Sequence, residues 1–372
     1  MIYLDYAATS FLKPPEVYRA VSRALLTASS PGRGSHSLAQ RAAELVYDCR
    51  EEAAALFHLD DPSRVVLTFN ATHGLNIAIR SCVRPGMRVL VSGYEHNAVM
   101  RPLYALGADV RVVGRKLFAP AQVLEDFETH MDGAELVVCT QVSNVFGYVL
   151  PLEDIAALCR ARGLPLIVDA SQAAGVLDVD MNKIGARFIA MPGHKGLFGP
   201  QGTGLLLCAD EGLPLLYGGA GFDSASRYMP DALPERLEAG TMNVPGIAGL
   251  CAGLRYVRQR GTEAIRQEEQ TLLELLRERL DGLAELHCFF GPPGTQSGIL
   301  SFTAPGWDSE ELCGSLGEGG LALRGGLHCA PMAHESAGTG KGGTVRLSLS
   351  PFVSKEQLED ACAIIRKTVE KN

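Results

Sequence analysis

Short apolar runs rich in branched residues alternate along the chain with longer segments of helical periodicity. Six runs predict buried strands, at residues 65–69, 88–92, 136–141, 164–169, 187–191 and 204–208. Apolar positions at helical spacing predict helices at 37–57 and 152–162, the first opened by a capping box of Ser37 and Gln40. This alternation predicts an α/β fold with a mostly parallel sheet and helices on both faces. Ligands of such sheets bind beyond the carboxyl ends of the strands, so residues that follow strands are the candidate functional positions.

The pattern changes after about residue 245. Residues 268–283, "EEQTLLELLRERLDGL", predict a strongly amphipathic helix. Strand candidates follow at 298–304 and 344–351, and a helix at 354–369 closes the chain. We therefore predict a large α/β domain followed by a smaller α+β domain.

Composition narrows the class of protein. The chain has 372 residues, of which 47% are hydrophobic, with a net charge of −8 and a pI of about 5.6. An acidic balance argues against nucleic acid or an anionic membrane as the main partner. No apolar run approaches the ~18 residues that span a bilayer, and the first residues lack the basic start of a signal peptide. We expect a cytoplasmic protein with reduced thiols.

The chain has ten cysteines and no C-x-x-C pair, so the spacing of a structural zinc site is absent and no metal is predicted. Most of these cysteines have apolar neighbours, which predicts buried thiols. Cys329 differs, because it lies in "GGLHCAPMAHE" between His328 and His334. From the residues alone it is a reactive nucleophile, a metal ligand or one more buried thiol.

Lys195 lies in "MPGHKGLFGPQGTGLLL", directly after a predicted strand and among glycines that allow close backbone approach to a ligand. The competing interpretation is an exposed surface lysine without a role, which is what most lysines are. A Walker A loop requires Ser or Thr after its lysine, and here a glycine follows. The remaining candidate is a lysine that holds pyridoxal phosphate as a Schiff base. Asp169, which ends an apolar strand, would pair with the ring nitrogen, and the helix start at Thr72 would bind the phosphate.

The chain resembles the cysteine desulfurases, within the class V aminotransferase group of fold-type I pyridoxal phosphate enzymes. The resemblance covers nearly the whole chain. It rests on motifs in the family's order: "YLDYAATS", "EHNAV", "VSNVFG", "VDASQAAG", "GHKGLFGPQGTG", "EAGTMN", "RGGLHCAPMAH" and "GTVRLS". It implies a large cofactor-binding domain at 14–245. It also implies a small domain in which residues 1–13 pack with 246–372.

The resemblance also implies roles for individual residues. Lys195 would carry the cofactor and Cys329 would be the nucleophile. The remaining implied cofactor contacts are His96 stacked on the ring, Asp169 at its nitrogen, Gln172 at its phenolic oxygen, and Ala71, Thr72 and His194 at the phosphate. Thr241 would reach the phosphate of the neighbouring subunit, which implies a homodimer with shared active sites. Substrate contacts would come from Asn144, Arg324 and Arg346.

Two positions depart from the family's pattern. Pro192 stands where many desulfurases have a phosphate-binding serine, and it offers neither a hydroxyl nor an amide donor. The usual paired threonines of the phosphate turn are Ala71 and Thr72. The phosphate is therefore expected to depend more on backbone amides, His194 and Thr241.

The implied reaction converts L-cysteine to L-alanine and leaves a persulfide on Cys329 for a sulfur-acceptor protein, whose identity the residues do not give. Glycines around Cys329 are expected to make its loop mobile, and His328 and His334 could favour its thiolate or carry protons. Three alternatives stay open: a selenocysteine lyase acting on L-selenocysteine, a class V aminotransferase, and a non-enzymatic scaffold that kept the fold.

Overall fold

A computed structural model describes residues 1–31, 34–221 and 224–370. The strands are β1 Ile2–Tyr3, β2 Val65–Thr68, β3 Arg88–Ser92, β4 Asp109–Val113, β5 Leu136–Thr140, β6 Leu166–Asp169, β7 Phe188–Pro192, β8 Gly204–Cys208, β9 His287–Cys288, β10 Ile299–Thr303, β11 Leu321–Ala322 and β12 Val345–Ser348. The helices are α1 Pro15–Thr27, α2 Ser37–Leu56, α3 Ala71–Cys82, α4 Asn97–Ala105, α5 Pro120–His130, α6 Leu152–Arg162, α7 Met181–Ile184, α8 Val244–Arg260, α9 Thr262–Leu280, α10 Ser309–Glu318, α11 Pro331–Ala337 and α12 Lys355–Val369.

The large sheet has seven strands in the order β2-β8-β7-β6-β5-β3-β4. The central strands pair in parallel, and β8 runs antiparallel to both of its neighbours. The predicted α/β class and all six predicted strands are confirmed, with ends that shift by at most two residues. The pattern missed β4, whose sequence "DVRVV" is only half buried because it forms an edge of the sheet.

Helix starts depend on local geometry that the hydrophobic pattern does not specify. The predicted capping box of Ser37 and Gln40 is wrong, because α2 begins at Ser37 and its N-cap is His36. The His36 ring accepts the amide hydrogen of Ala39. A complete capping box is present at α12, where Ser354 and Gln357 exchange hydrogen bonds with each other's backbone amides.

The N-terminal segment packs with the last third of the chain. Strand β1 pairs in parallel with β11, and β10 lies between β12 and β9 in a three-stranded antiparallel sheet. Leu4 and Tyr6 share a hydrophobic core with Leu300, Phe302 and Leu347.

Helix α8, which begins at the predicted domain boundary near residue 245, packs against α1 and α2. It contributes Leu250 and Leu254 to the core beside the large sheet. The boundary itself stays a prediction. Among the described residues, no helix combines the length and apolarity that crossing a bilayer requires.

A buried ion pair fixes residues 238–243 to the large sheet. The Arg50 Nη2 lies 2.6 Å from the Glu238 Oε2, with both side chains less than a tenth exposed. Glu238 also accepts the amide hydrogen of Leu67, and Arg50 donates to the carbonyl of Val65. The pair therefore joins α2, β2 and the segment that carries Thr241.

Glu238→Gln should lower the free energy of unfolding by about 3 kcal/mol, because it leaves the Arg50 guanidinium buried without a counter-charge. Urea denaturation of both proteins measures the difference. Glu16→Gln, at the exposed pair with Arg19, is the matched control and should cost less than about 0.5 kcal/mol. Equal losses in the two variants would contradict this account of the buried pair.

Candidate active site

A cavity of about 220 Å³ opens at the carboxyl ends of β5, β6 and β7. It brings together most of the residues that the sequence predicted for the site. These are Ala71, Thr72, His96, Asn144, Asp169, Gln172, His194, Lys195, Arg324 and Arg346. Cys329 and Thr241 do not line it. The clustering follows from the fold, because parallel strands present the residues after them at one edge of the sheet.

Lys195 follows β7 on a loop held by the N-terminal segment. The Ser10 hydroxyl donates to the Lys195 carbonyl at 2.7 Å, and the Ser10 amide donates to the His194 carbonyl. Two backbones touch behind the lysine: a Cβ at Gly175, which has φ +90°, would lie 2.1 Å from the Gly196 carbonyl oxygen. The glycines are therefore required by packing. Burial lowers the pKa of Lys195 to about 8, and the Asp169 carboxylate opposes that shift.

Asp169 ends β6 and is only 3% exposed. One of its carboxylate oxygens accepts the amide hydrogen of Ser171 at 2.9 Å, and the carboxylate lines the cavity. A buried carboxylate facing a cavity requires a cationic or donor partner there. This arrangement fits the protonated ring nitrogen of pyridoxal phosphate.

Another part of the cavity lining fits a phosphate. Helix α3 has twelve residues, and its N-cap Asn70 accepts the amide hydrogen of His73. Asn70, Ala71 and Thr72 line the cavity, so the first turn of the helix faces it with unpaired amide donors and a positive dipole end. Pro192 also lines the cavity but adds no hydrogen-bond donor.

Two of the three histidines that line the cavity, His96 and His194, are uncharged at neutral pH. Burial lowers the pKa of His96 to about 4, and it does the same to His194. His96 is the N-cap of α4 and accepts the amide hydrogen of Ala98 through Nδ1. The Nδ1 of His194 lies 3.1 Å from the Thr9 hydroxyl. These bonds fix both rings without giving them charge.

Arg346 is 1% exposed and is held on two sides. Its Nη1 donates to the Asn144 carbonyl at 3.0 Å, and its Nη2 donates to the Asp5 carboxylate at 2.7 Å. Its Nε is buried without a partner among the described residues. Asp5 is a functional residue that the sequence pattern did not single out. The available signal was its place in "YLDYAATS", the motif at the start of the chain.

Cys329 is exposed and lies in a tight turn beside the cavity. The Ala330 amide donates to the Leu327 carbonyl, and both central residues are left-handed, with φ of +50° at His328 and +57° at Cys329. Non-glycine residues adopt this region at a cost. The Asn97 amide donates to the Cys329 carbonyl, and Asn144 donates to the His328 carbonyl. These bonds hold the turn against the start of α4 and the loop after β5, whereas the glycine content had suggested a mobile loop.

The cation nearest to the Cys329 sulfur in the described contacts is an arginine: the Arg324 Nη2 lies 3.9 Å from the Sγ. Both neighbouring histidines are buried. Burial lowers the pKa of His328 to about 2 and that of His334 to about 4. They are neutral rings at neutral pH and offer no positive charge to the sulfur.

Thr241 lies elsewhere in this chain. It lines a separate large groove, together with Tyr47, Arg50 and Glu238. Its predicted contact with the phosphate of a neighbouring subunit stays a prediction. The described residues contain no group of three or more His, Cys, Asp or Glu side chains arranged to hold a metal ion.

The family model for class V aminotransferases matches residues 2–360, and the chain belongs to this family. A probable cysteine desulfurase of Methanothermobacter thermautotrophicus is 32% identical over 96% of this chain and 92% of its own length. The apo structure of a cysteine desulfurase from Thermococcus onnurineus superposes with a TM-score of 0.92. It is 30% identical and covers 100% of this chain and 95% of its own. The cysteine desulfurase CsdA of Escherichia coli, in its S-sulfonic acid form, has a TM-score of 0.87 at 27% identity, with the same coverage.

In the cofactor-free protein, Lys195 should react with cyanate with a midpoint near pH 8, because burial lowers the pKa of its amine and only the neutral amine reacts. Mass spectrometry of the Lys195 peptide over a pH series measures this midpoint. The same peptide in denaturant is the control and should titrate near pH ~10.4. Asp169→Asn should move the folded midpoint further down. Identical midpoints in folded and denatured protein would refute the predicted environment.

Proposed function

We propose that this protein is a pyridoxal phosphate-dependent cysteine desulfurase. It converts L-cysteine to L-alanine and transfers the sulfur to Cys329 as a persulfide, for delivery to an acceptor protein. The observation that carries the proposal is the exposed Cys329 thiol, 3.9 Å from the Arg324 guanidinium, beside the cavity that contains Lys195 and Asp169. The relatives named cysteine desulfurase support the same conclusion.

The cavity residues offer a partner to each polar group of the cofactor and to its ring. Lys195 would hold it covalently, and Asp169 would keep its ring nitrogen protonated. His96 would lie against the ring, Gln172 beside its phenolic oxygen, and the first turn of α3 with His194 at its phosphate. When bound, pyridoxal phosphate supplies an electron sink for the amino acid's Cα.

Lys195 is suited to accept the proton from the substrate's Cα. Its lowered pKa makes a much larger fraction of the amine neutral near physiological pH than in an ordinary lysine, as a general base requires. Arg346 and Asn144 would orient the substrate carboxylate, because both line the cavity and the Arg346 Nε has no partner among the described residues. A substrate held by its carboxylate in this way would place its sulfur on the side of the cavity where Arg324 and the Cys329 turn lie.

The sulfur transfer is a displacement at the substrate's sulfur atom. The Cys329 thiolate attacks this atom, and a sulfur–sulfur bond forms as the bond between sulfur and Cβ breaks. The bonding electron pair stays with the carbon skeleton, which takes up protons and leaves as alanine. Cys329 then carries the persulfide. Its exposure suits release of the outer sulfur to an acceptor.

Cys329→Ala should reduce alanine release from L-cysteine by at least about 100-fold, because the nucleophile is lost. Anaerobic incubation, with alanine quantified and the persulfide located by mass spectrometry, measures this. Cys82→Ala, on α3 away from the cavity, is the matched control and should retain activity. Full desulfuration by Cys329→Ala would exclude the mechanism. Activity confined to L-selenocysteine would favour a selenocysteine lyase, and a keto-acid requirement would favour an aminotransferase.

A homodimer with shared sites is the second part of the proposal. Thr241 faces a groove that excludes its own Lys195, and Phe69 and Tyr47 are large side chains left about half exposed in this chain. A second copy covering this surface would bury them and bring Thr241 to the partner's phosphate end. The cytoplasmic location and the transfer of sulfur to an acceptor protein stay predictions.

Thr241→Ala should weaken cofactor retention several-fold without changing the dimer mass, because it removes one hydroxyl donor to the phosphate. Sedimentation gives the mass, and the absorbance of the bound cofactor during dialysis gives retention. Thr271→Ala, on the exposed face of α9, is the control. A monomeric holoenzyme would overturn this part of the proposal.

A further inference from the structure

A second, smaller cavity lies behind Lys195. Its volume is about 40 Å³, and its polar lining comes from Tyr6, Ser10, Gln172, Lys195, Glu269, Ser297, Ser348 and Ser350. Lys195 and Gln172 line this rear cavity and the main cavity alike. The lysine therefore forms part of the partition between the predicted cofactor space and a polar chamber on the side of the small sheet.

Glu269 is the acidic group of the rear cavity. It lies on α9, is 7% exposed, and accepts a hydrogen bond from the Gly298 amide. It forms no ion pair with any described residue. A buried carboxyl without a cation carries a desolvation cost that a glutamine or an apolar residue would avoid. The mechanism described above makes no use of this group.

The surrounding backbone reserves space for the Glu269 carboxyl. A Cβ added at Gly298 would lie 2.7 Å from the Glu269 Oε2, so any side chain there would displace the carboxyl from the cavity. Gly298 has no positive φ that would itself demand glycine. Gly298 is therefore required by the space that the Glu269 carboxyl occupies and not by its own backbone conformation.

The rear cavity is suited to hold water. A water requires about 10–15 Å³ of such volume and two to four polar partners, so this space accommodates two or three. The Ser297 hydroxyl is buried and has no partner among the described residues. It lines the same space as the Ser10 hydroxyl, the Gln172 amide and Lys195. A chain of water between the lysine and Glu269 would satisfy these groups.

The charges that face Glu269 are few. Lys195 lines the same cavity, Glu268 is adjacent on α9, and Tyr6 lines the cavity from the N-terminal segment with its pKa raised to about 12 by burial. From β10, β12 and their loops the cavity receives serines, a glycine and apolar groups. Burial raises the pKa of Glu269 to about 8 and lowers that of Lys195 to about 8. Proton transfer between groups of similar pKa costs little free energy.

We propose that Glu269 is a positioning residue that exchanges protons with the Lys195 amino group through water in the rear cavity. The proton that Lys195 takes from the substrate's Cα passes from the Lys195 Nζ to water and from water to the Glu269 carboxylate. This leaves a neutral amine and a neutral carboxylic acid. The second half of the turnover returns a proton by the same route. This inference rests on the proposed function, because it needs Lys195 to act as the base.

The first test uses the cofactor-free protein and does not depend on activity. Above pH 8, an ionised Glu269 stabilises protonated Lys195, so Glu269→Gln should lower the cyanate midpoint of Lys195 by about 0.5 unit. Glu269→Asp should restore most of the shift, and Glu274→Gln, an exposed position on the same helix, should leave the midpoint unchanged. Equal Lys195 midpoints in Glu269→Gln and the unaltered protein would overturn the coupling.

The second test follows the proton in the holoenzyme. L-alanine in deuterated water should take up deuterium at Cα, and Glu269→Gln should slow this exchange about tenfold by retaining the abstracted proton on Lys195. Ser297→Ala should slow the exchange at Cα severalfold, because it removes one hydroxyl that lines the route. If Glu269→Gln does not fold, the rate of this second variant decides whether the route exists. Unchanged exchange in the variants overturns the inference. Absence of exchange in the unaltered holoenzyme instead overturns the proposed function, and the cyanate midpoints still decide whether Glu269 and Lys195 are coupled.

Discussion

The buried Arg346 guanidinium joins three separate parts of the chain. It bonds to Asp5 near the N-terminus and to the Asn144 carbonyl in the loop after β5 of the large sheet, while its own backbone lies in β12. A charge this deeply buried is stable only with such partners. The cavity wall therefore exists only when the N-terminal segment, the large sheet and the small sheet are assembled together. The Asn144 amide extends the wall to the Cys329 turn through its bond to the His328 carbonyl.

Around this wall, the active site separates neutral from charged groups. The four histidines nearest the chemistry, His96, His194, His328 and His334, have pKa values lowered by burial and act as uncharged rings. Positive charge comes from Arg324 and Arg346, whereas Lys195 lies near its titration point. This division suits a reaction in which a lysine moves protons, an arginine faces the attacking sulfur, and aromatic rings orient the cofactor without competing for those protons.

Prediction from the sequence was most accurate for strands with a clear local hydrophobic pattern and for site residues that lie in recognisable motifs. The largely buried strands β3 and β8 were predicted to the residue, because continuous apolar runs bounded by turns have few alternatives. The edge strand β4 was missed, since its half-exposed pattern resembles a loop. The cap of α2 was placed one residue late, because His36 is not a usual cap residue. Lys195, Asp169 and Arg346 were found through motifs, and the fold brings them to one cavity.

The sequence by itself determined the α/β class, the candidate chemistry of Lys195 and Cys329, and the family resemblance, because each depends on residue type and order along the chain. Only the tertiary structure decided that Asp5 pairs with Arg346, that the histidines of the Cys329 segment are neutral, and that Glu269 lies behind the lysine. These properties depend on burial and on distances between residues far apart in the chain. The local environment of a charge is set by whichever segments fold around it, and neither periodicity nor spacing encodes that environment directly.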